Sequence, residues 1–229
     1  MSKTFLFAGA SSAIAKEAAT LLKQKGHRVI GISTKDTISL YDECYKIENY
    51  HLAAFPEIAE PINGLVYFPG TINLKPFARL TQAEFITDFQ INSLGAVAFT
   101  QAYLGNVKRS PNASIVFVSS VAVSIGLPFH ASISMAKGAI EGLTKALAAE
   151  FAPSIRVNCV APSLANTPLG DKFINTPDKM EQMKKRNPLQ MIGNPIDVAN
   201  AIVFLLSDES VWVSGQVMAV DGGMSKIKN

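Results

Sequence analysis

A turn near the start of the chain has the residue types that bind phosphate groups. Residues 7–15 read Phe-Ala-Gly-Ala-Ser-Ser-Ala-Ile-Ala, follow an apolar run and open a predicted helix. The free N–H groups and positive end of such a helix favour an anion such as a pyrophosphate. With only one glycine, the turn also fits an ordinary strand-to-helix connection. If a dinucleotide binds here, the candidate contacts are Gly9, Ser11, Ser12 and Ile14.

The residues that follow the next predicted strand bear on which dinucleotide would bind. About 20 residues past the glycine turn, the dinucleotide fold uses a carboxylate for a ribose 2′-OH or a basic group for a 2′-phosphate. Residues 31–35 read Gly-Ile-Ser-Thr-Lys and offer no carboxylate. The hydroxyls of Ser33 and Thr34 and the amine of Lys35 suit a phosphate, which favours NADP over NAD. NAD is the alternative cofactor, because Lys35 is also compatible with a solvated loop.

Short apolar runs alternate with helix-length segments, and together they must position these groups. The predicted strands are residues 4–8, 28–32, 64–68, 114–119, 155–160 and 216–220, with a weaker one near 45–48. The predicted helices are residues 13–25, 81–107, 132–151 and 195–207. This alternation predicts an α/β fold, a Rossmann-type doubly wound parallel sheet of about seven strands with helices on both faces. We assign residues 1–229 to a single domain.

Two segments break the alternation. Residues 50–63 carry Pro56 and Pro61, so the crossover helix expected there must be short or irregular. Residues 173–188 are polar and lack periodicity, which is typical of a mobile flap over a pocket.

Motifs along the whole chain resemble those of the short-chain dehydrogenase/reductase family. The turn is similar to the family's Thr-Gly-x-x-x-Gly-x-Gly, with Ala8, Ala13 and Ala15 replacing the threonine and the last two glycines. The other matching positions are Asn92, Ser119–Ser120, Lys137, and residues 156–158, 162–167, 187–189, 193–199 and 215–223. The resemblance implies an NAD(P)-dependent oxidoreductase.

The resemblance also assigns roles to individual residues. Asn92, Ser120 and Lys137 match three of the family's four catalytic positions, and the lysine also binds the nicotinamide ribose. Further cofactor contacts are implied at Glu48, Gly70, Pro162 and Thr167.

The fourth catalytic position, a tyrosine four residues before the lysine, is Ile133. Isoleucine donates no proton, and loss of a general acid costs about 10²- to 10⁴-fold in rate. Three functions stay open: an oxidoreductase that is slow or uses another donor, an inactive NAD(P)-binding sensor or structural module, and a purely structural partner in a hetero-oligomer.

His130 is a candidate for the missing donor. Enoyl reductases of the same fold place their tyrosine seven residues before the lysine, and seven before Lys137 is His130. Residues 130, 133 and 137 share one face if the helix begins early enough. An imidazole can supply a proton at neutral pH. The alternative is a surface or packing histidine.

The fourth strand departs from the family, which reads Asn-Asn-Ala-Gly where this chain reads Tyr67-Phe68-Pro69-Gly70. The two aromatics either narrow the adenosine side of the groove or fill space left by a shortened preceding helix.

Composition limits the other function classes. The net charge is +3 without a long basic run, which argues against nucleic acid as a partner. No apolar stretch reaches the length of a membrane helix, and Cys44 and Cys159 have no metal-site spacing. We expect a cytoplasmic homodimer or homotetramer, no metal, and a small, partly apolar substrate selected by residues 169–188.

Overall fold

The computed structural model describes residues 2–36 and 38–227. Within them lie the strands β1 (Thr4–Ala8), β2 (Arg28–Ser33), β3 (Glu43–Lys46), β4 (Gly64–Tyr67), β5 (Ala113–Val118), β6 (Ile155–Pro162) and β7 (Val217–Val220). All pairings are parallel, in the order β3-β2-β1-β4-β5-β6-β7. The winding reverses between β1 and β4, and a doubly wound sheet binds its ligand at that point, outside the carboxyl ends of the strands.

Helices cover both faces of the sheet, which confirms the predicted doubly wound α/β fold. They are α1 (Ala13–Gln24), α2 (Gln82–Phe89), α3 (Gly95–Lys108), α4 (Ala131–Phe151), α5 (Pro177–Lys184) and α6 (Pro195–Leu206). Helices α1 and α6 pack against each other over one face, and α3 and α4 share a buried cluster with the other face.

Strand β1 contributes side chains to the hydrophobic clusters on both faces of the sheet. Phe5 and Phe7 pack into the cluster formed with α1 and α6, whereas Leu6 and Ala8 pack into the cluster formed with α3 and α4. Successive side chains of a strand point to opposite faces. A strand buried on both sides is therefore apolar at successive positions, as β1 is over residues 5–8, and β1 leads directly into the turn at Gly9.

Two predicted boundaries were wrong, and a segment predicted to lack periodicity contains a helix. Strand β3 begins at Glu43, because residues 43–46 pair with Ile30–Ser33, so Glu48 lies beyond the strand and does not end it. The single helix predicted over residues 81–107 is interrupted by a π-helical segment, Gln90–Leu94. The segment predicted as a flap contains α5, whose first residue is Pro177 and whose N-cap is Thr176.

The prediction for residues 50–63 is confirmed, because only a 3₁₀ turn, Leu52–Ala54, forms in the long connection between β3 and β4. Among the described residues, no helix is long and apolar enough to cross a membrane.

Candidate active site

The turn after β1 has the geometry that its sequence predicts. Gly9 has a φ of +77°, and a Cβ atom there would lie 2.8 Å from Cδ of Pro69, so no other residue fits without strain. Ser12 is the N-cap of α1, yet its hydroxyl makes no capping hydrogen bond, and the first turn holds no acidic residue. The first N–H groups of α1 therefore stay available to an anion. Ser11 and Ile14 are half-buried beside them.

Of the three cofactor contacts predicted at the end of β2, two are accessible to a ligand and one is buried. Ser33 is fully buried, and its hydroxyl accepts a hydrogen bond of 3.0 Å from the N–H of Lys35. It shapes the turn and does not offer its hydroxyl to a ligand. Thr34 is half-buried and Lys35 is exposed. Thr34 and the exposed Glu48 line the same open cavity of about 720 Å³, together with Lys46, Ile47 and Ala54.

Three predicted residues meet where the carboxyl ends of β4 and β5 adjoin α4. A Cβ atom on Gly70 would lie 3.1 Å from Oδ1 of Asn92 and 3.3 Å from Nζ of Lys137. Asn92 is fully buried in the π-helical segment, and Lys137 is only 6% exposed. The amine of Lys137 donates one hydrogen bond, of 2.8 Å, to the carbonyl of Val118. Burial lowers the pKa of Lys137 to about 8.

The orientation of Asn92 is fixed by backbone and side-chain partners. Its Nδ2 donates to the carbonyl oxygen of Asp88 and to Oγ1 of Thr71, both at 2.8 Å. Its Oδ1 accepts from the N–H of Thr71 at 3.3 Å. Because both ends of the amide have defined partners, the nitrogen and oxygen of Asn92 cannot be interchanged.

A buried carboxylate beside Asn92 was missed from the sequence. Asp88 is 3% exposed and accepts two hydrogen bonds of 2.6 Å, from the hydroxyls of Thr71 and Ser132. Its position one helical turn before Asn92 was the only available signal. The interaction with Ser132 depends on α2 packing against α4.

Ser120 and Ile133 complete the family's catalytic positions. Ser120 is half-buried, and its hydroxyl accepts a 3.2 Å hydrogen bond from the N–H of Ala122, so it caps the 3₁₀ turn that follows. Ile133 is 5% exposed on α4, four residues before Lys137. The described side chains therefore place no tyrosine hydroxyl at this position.

His130 lies apart from this group. Helix α4 begins at Ala131, so His130 is its N-cap and does not share a helical face with Ile133 and Lys137. His130 is half-buried, and Nδ1 lies 2.8 Å from the carbonyl oxygen of Pro128. It lines an open cavity of about 320 Å³ with Phe77 and Ser134, and neither Asn92 nor Lys137 reaches that cavity.

The loop after β6 contacts the loop after β4 through one hydrogen bond. Pro162 ends β6, and the hydroxyl of Thr167 accepts a 3.2 Å hydrogen bond from the N–H of Gly170. Farther along, the amine of Lys172 donates to the carbonyl of Ile72 at 3.2 Å. This hydrogen bond joins the loop after β6 to the loop after β4, next to Thr71.

The aromatics of the fourth strand pack within the protein. Tyr67 is 2% exposed, and its hydroxyl donates to the carbonyl of Ile91 at 2.7 Å. Its ring meets the ring of Tyr50 edge-on, with centroids 5.7 Å apart. Phe68 meets Phe7 in the same way at 5.1 Å. This favours the space-filling interpretation for Tyr67 and Phe68.

Tyr50 itself approaches the cofactor turn and was not foreseen. Burial raises the pKa of Tyr50, and Thr34 and the backbone of Gly9 lie near its hydroxyl. The connection between β3 and β4 therefore brings an aromatic side chain next to the turn after β1.

The residues present fit a nicotinamide dinucleotide. The open N-terminus of α1 suits the pyrophosphate, and the absence of a Cβ at Gly9 and Gly70 leaves close approaches to the backbone. An ammonium group has three donors, and the amine of Lys137 makes one hydrogen bond among the described residues. Two donors remain for ribose hydroxyls.

The known proteins that this chain is similar to are reductases and dehydrogenases. Residues 46–225 match a family model described as enoyl-(acyl carrier protein) reductase. The 3-oxoacyl-(acyl-carrier-protein) reductase of Thermotoga maritima is 34% identical over 97% of this chain and 97% of its own. The carbonyl reductase (NADPH) 2 of Sus scrofa is 32% identical over 95% of this chain and 94% of its own. The ligand-free aldohexose dehydrogenase of Thermoplasma acidophilum superposes with a TM-score of 0.91 at 28% identity, covering 100% of this chain and 97% of that one.

Proposed function

Because this chain belongs to the short-chain dehydrogenase/reductase family, we propose that it is an NADP(H)-dependent oxidoreductase that works without the family's tyrosine. Its substrate is a small, partly apolar carbonyl, hydroxyl or enoyl compound. The observation that carries this proposal is the convergence of Gly70, Asn92 and Lys137 beside an uncapped helix N-terminus.

The cofactor would be held along the carboxyl edge of the sheet. Gly9, Ser11, Ser12 and Ile14 would bind the pyrophosphate, with Thr34, Lys35 and Glu48 around the adenosine and Gly70, Lys137, Pro162 and Thr167 around the nicotinamide riboside. When bound, the nicotinamide supplies or accepts a hydride. NADP is favoured over NAD because exposed Lys35 follows Thr34 with no carboxylate between β2 and Lys35.

The protein's own part in the reaction is to hold the reacting groups and to exclude water. Ser120, two residues past the end of β5, would donate its hydroxyl proton to the substrate oxygen, because its only hydrogen bond among the described residues uses an acceptor lone pair. The buried amine of Lys137, held by its hydrogen bond to the carbonyl of Val118, would orient the ribose. Ile133 supplies an apolar wall where the family has a hydroxyl.

The substrate class follows from the residues around the crevice. The segment of residues 169–188 carries Phe173, Met180 and Met183, which favour a partly apolar ligand, and the amine of Lys172 reaches the loop after β4. We expect a homodimer or homotetramer in the cytoplasm, where the unpaired Cys44 and Cys159 would stay reduced.

The buried Ile133 favours one alternative, a protein that binds the cofactor without turning it over. Turnover separates the two functions. NADPH oxidation would be followed with a panel of ketones, aldehydes and enoyl thioesters, and NADP⁺ reduction with secondary alcohols. Turnover of any of these above a Lys137→Met control supports the enzyme. Cofactor binding with no turnover supports the sensor.

A further inference from the structure

We propose that Asp88, acting through the hydroxyl of Thr71, accepts and returns the proton that the family's tyrosine would otherwise move. This inference rests on the proposed oxidoreductase function. It starts from the buried carboxylate of Asp88, which accepts from Ser132, the residue before Ile133 on α4. The backbone carbonyl of Asp88 accepts from Asn92.

The direction of the hydrogen bonds is fixed by Asn92. Its Nδ2 donates to Oγ1 of Thr71 at 2.8 Å, so the hydroxyl of Thr71 must point its own proton elsewhere. That proton goes to Oδ1 of Asp88 at 2.6 Å. A hydroxyl has one donor and two acceptor lone pairs, so one acceptor position on Thr71 remains free. A substrate hydroxyl can donate to it.

Thr71 lies where a substrate would meet it. It follows Gly70, which packs against the side chains of Asn92 and Lys137, and it precedes Ile72, whose carbonyl binds Lys172 from the loop after β6. Thr71 is half-buried, whereas Asp88 is 3% exposed. The hydroxyl is thus the accessible end of the pair, and the carboxylate is its interior end.

The titratable and charged groups on the elements packed around Asp88 form their hydrogen bonds and ion pairs with other residues. Glu84, on the same helix, pairs with Lys75. On α4, Lys137 donates to Val118, and the N-cap His130 bonds to Pro128. Lys172 binds Ile72. Among the described residues no cation pairs with Asp88, so its two hydroxyl donors are what stabilise the carboxylate.

The oxidation of an alcohol shows the balance of the step. The substrate O–H bond breaks and its proton passes to Oγ1 of Thr71, while the proton of Thr71 passes to Oδ1 of Asp88. The substrate carbon loses its hydrogen with the electron pair to an oxidised nicotinamide, so the alcohol becomes a carbonyl and the nicotinamide is reduced. Asp88, now a neutral acid, returns the proton to water through Thr71 after the product leaves. Reduction of a carbonyl reverses each transfer.

The test compares variants that alter one partner at a time. Asp88→Asn keeps the shape of the side chain, Thr71→Val removes the hydroxyl, and Thr71→Ser restores it. Thr87→Val is the matched control, because Thr87 neighbours Asp88 but is exposed and bonds only to the carbonyl of Ala83. Rates would be measured across pH with NADP⁺ and 2-propanol, cyclohexanol, xylitol and glucose. Affinity for NADPH would be measured by nicotinamide fluorescence.

We expect Asp88→Asn and Thr71→Val to lose about 100-fold or more in kcat and to lose the acid limb of the pH profile. Thr71→Ser should recover most of the activity that Thr71→Val loses, because it restores the hydroxyl. Thr87→Val should stay within about threefold of the unaltered protein, and all variants should bind NADPH equally. Unaltered turnover or an unaltered pH profile in Asp88→Asn would overturn the inference, as would loss of NADPH binding in that variant. If the unaltered protein binds NADPH but turns over neither these alcohols nor the carbonyl panel, both the proposed function and this inference are contradicted.

Discussion

The amine of Lys137 packs against Gly70 so closely that a Cβ atom there would lie 3.3 Å from Nζ and 3.1 Å from Oδ1 of Asn92. The β4 loop, the π-helical segment and α4 therefore meet at a point where an added methyl group would displace Asn92 or Lys137 by a few tenths of an ångström. The residues expected to hold the nicotinamide riboside are fixed relative to one another by this packing.

Gly70→Ala should weaken NADPH binding about tenfold, or about 1.4 kcal/mol, because the methyl group displaces the amine of Lys137. Nicotinamide fluorescence would measure the dissociation constant. Gly105→Ala is the control, since a Cβ atom there meets nothing within 4 Å. Equal affinity in both variants would show that Gly70 does not border the cofactor.

Lys35→Ala should reduce NADPH affinity about tenfold and leave NADH affinity unchanged, because a charge-assisted hydrogen bond to a 2′-phosphate is worth about 1.5–3 kcal/mol. Parallel titrations with the two cofactors would measure the ratio. Lys46→Ala is the matched control, because the amine of Lys46 lies beside the same cavity but pairs with Asp36 at 2.7 Å. An equal loss for both cofactors would exclude Lys35 as the selecting residue.

Ile133→Tyr should raise the rate of carbonyl reduction by about 10²-fold or more, because it restores a general acid four residues before Lys137. NADPH consumption with a panel of ketones would measure the gain. Met135→Tyr, at a residue of the same helix that is 50% exposed, should have no effect. If Ile133→Tyr binds NADPH but gains no activity, the substrate pocket has changed along with the tyrosine.

The stability of the protein should depend on the charge of Lys137. Burial lowers its pKa from 10.5 to about 8, so between these values the unfolded chain binds more protons than the folded one. The free energy of unfolding should therefore rise with pH across this window, by up to about 3 kcal/mol. Below about pH 8 the amine is charged in both states and the cost of burying it is complete. Urea unfolding at several pH values would measure the rise.

Lys137→Met provides the reference for this measurement, because it keeps the apolar stem and removes the titrating amine. The difference between the two proteins should shrink as the pH passes from about 8 to about 10.5. A constant difference would mean that the amine reaches solvent and is not buried.

Much of the fold was visible in the sequence because it is determined locally. The alternation of apolar strands with helical segments predicted β1, β2, β4 and β6 closely, and Gly9 marked the turn whose positive φ requires glycine. The start of β3 was missed by two residues, since its ends depend on the register with β2 and not on its own composition.

The site was less accessible to sequence reasoning. The positions of Asn92, Ser120 and Lys137 followed from the family resemblance, but the burial of Ser33 and the capping role of Ser120 arise from neighbours that no local pattern reveals. Asp88 was overlooked because its importance comes from hydrogen bonds with Thr71 and Ser132, 17 and 44 residues away. The sequence predicted His130 on the same helical face as Ile133 and Lys137, but α4 begins one residue later, at Ala131.

The most direct test of the central claim is a titration of the purified protein with NADPH and with NADH, followed by nicotinamide fluorescence. We predict saturable binding with a preference for NADPH, and loss of that binding in Lys137→Met. Binding of neither cofactor would contradict both the oxidoreductase and the sensor, and would leave a protein that acts through its surface alone.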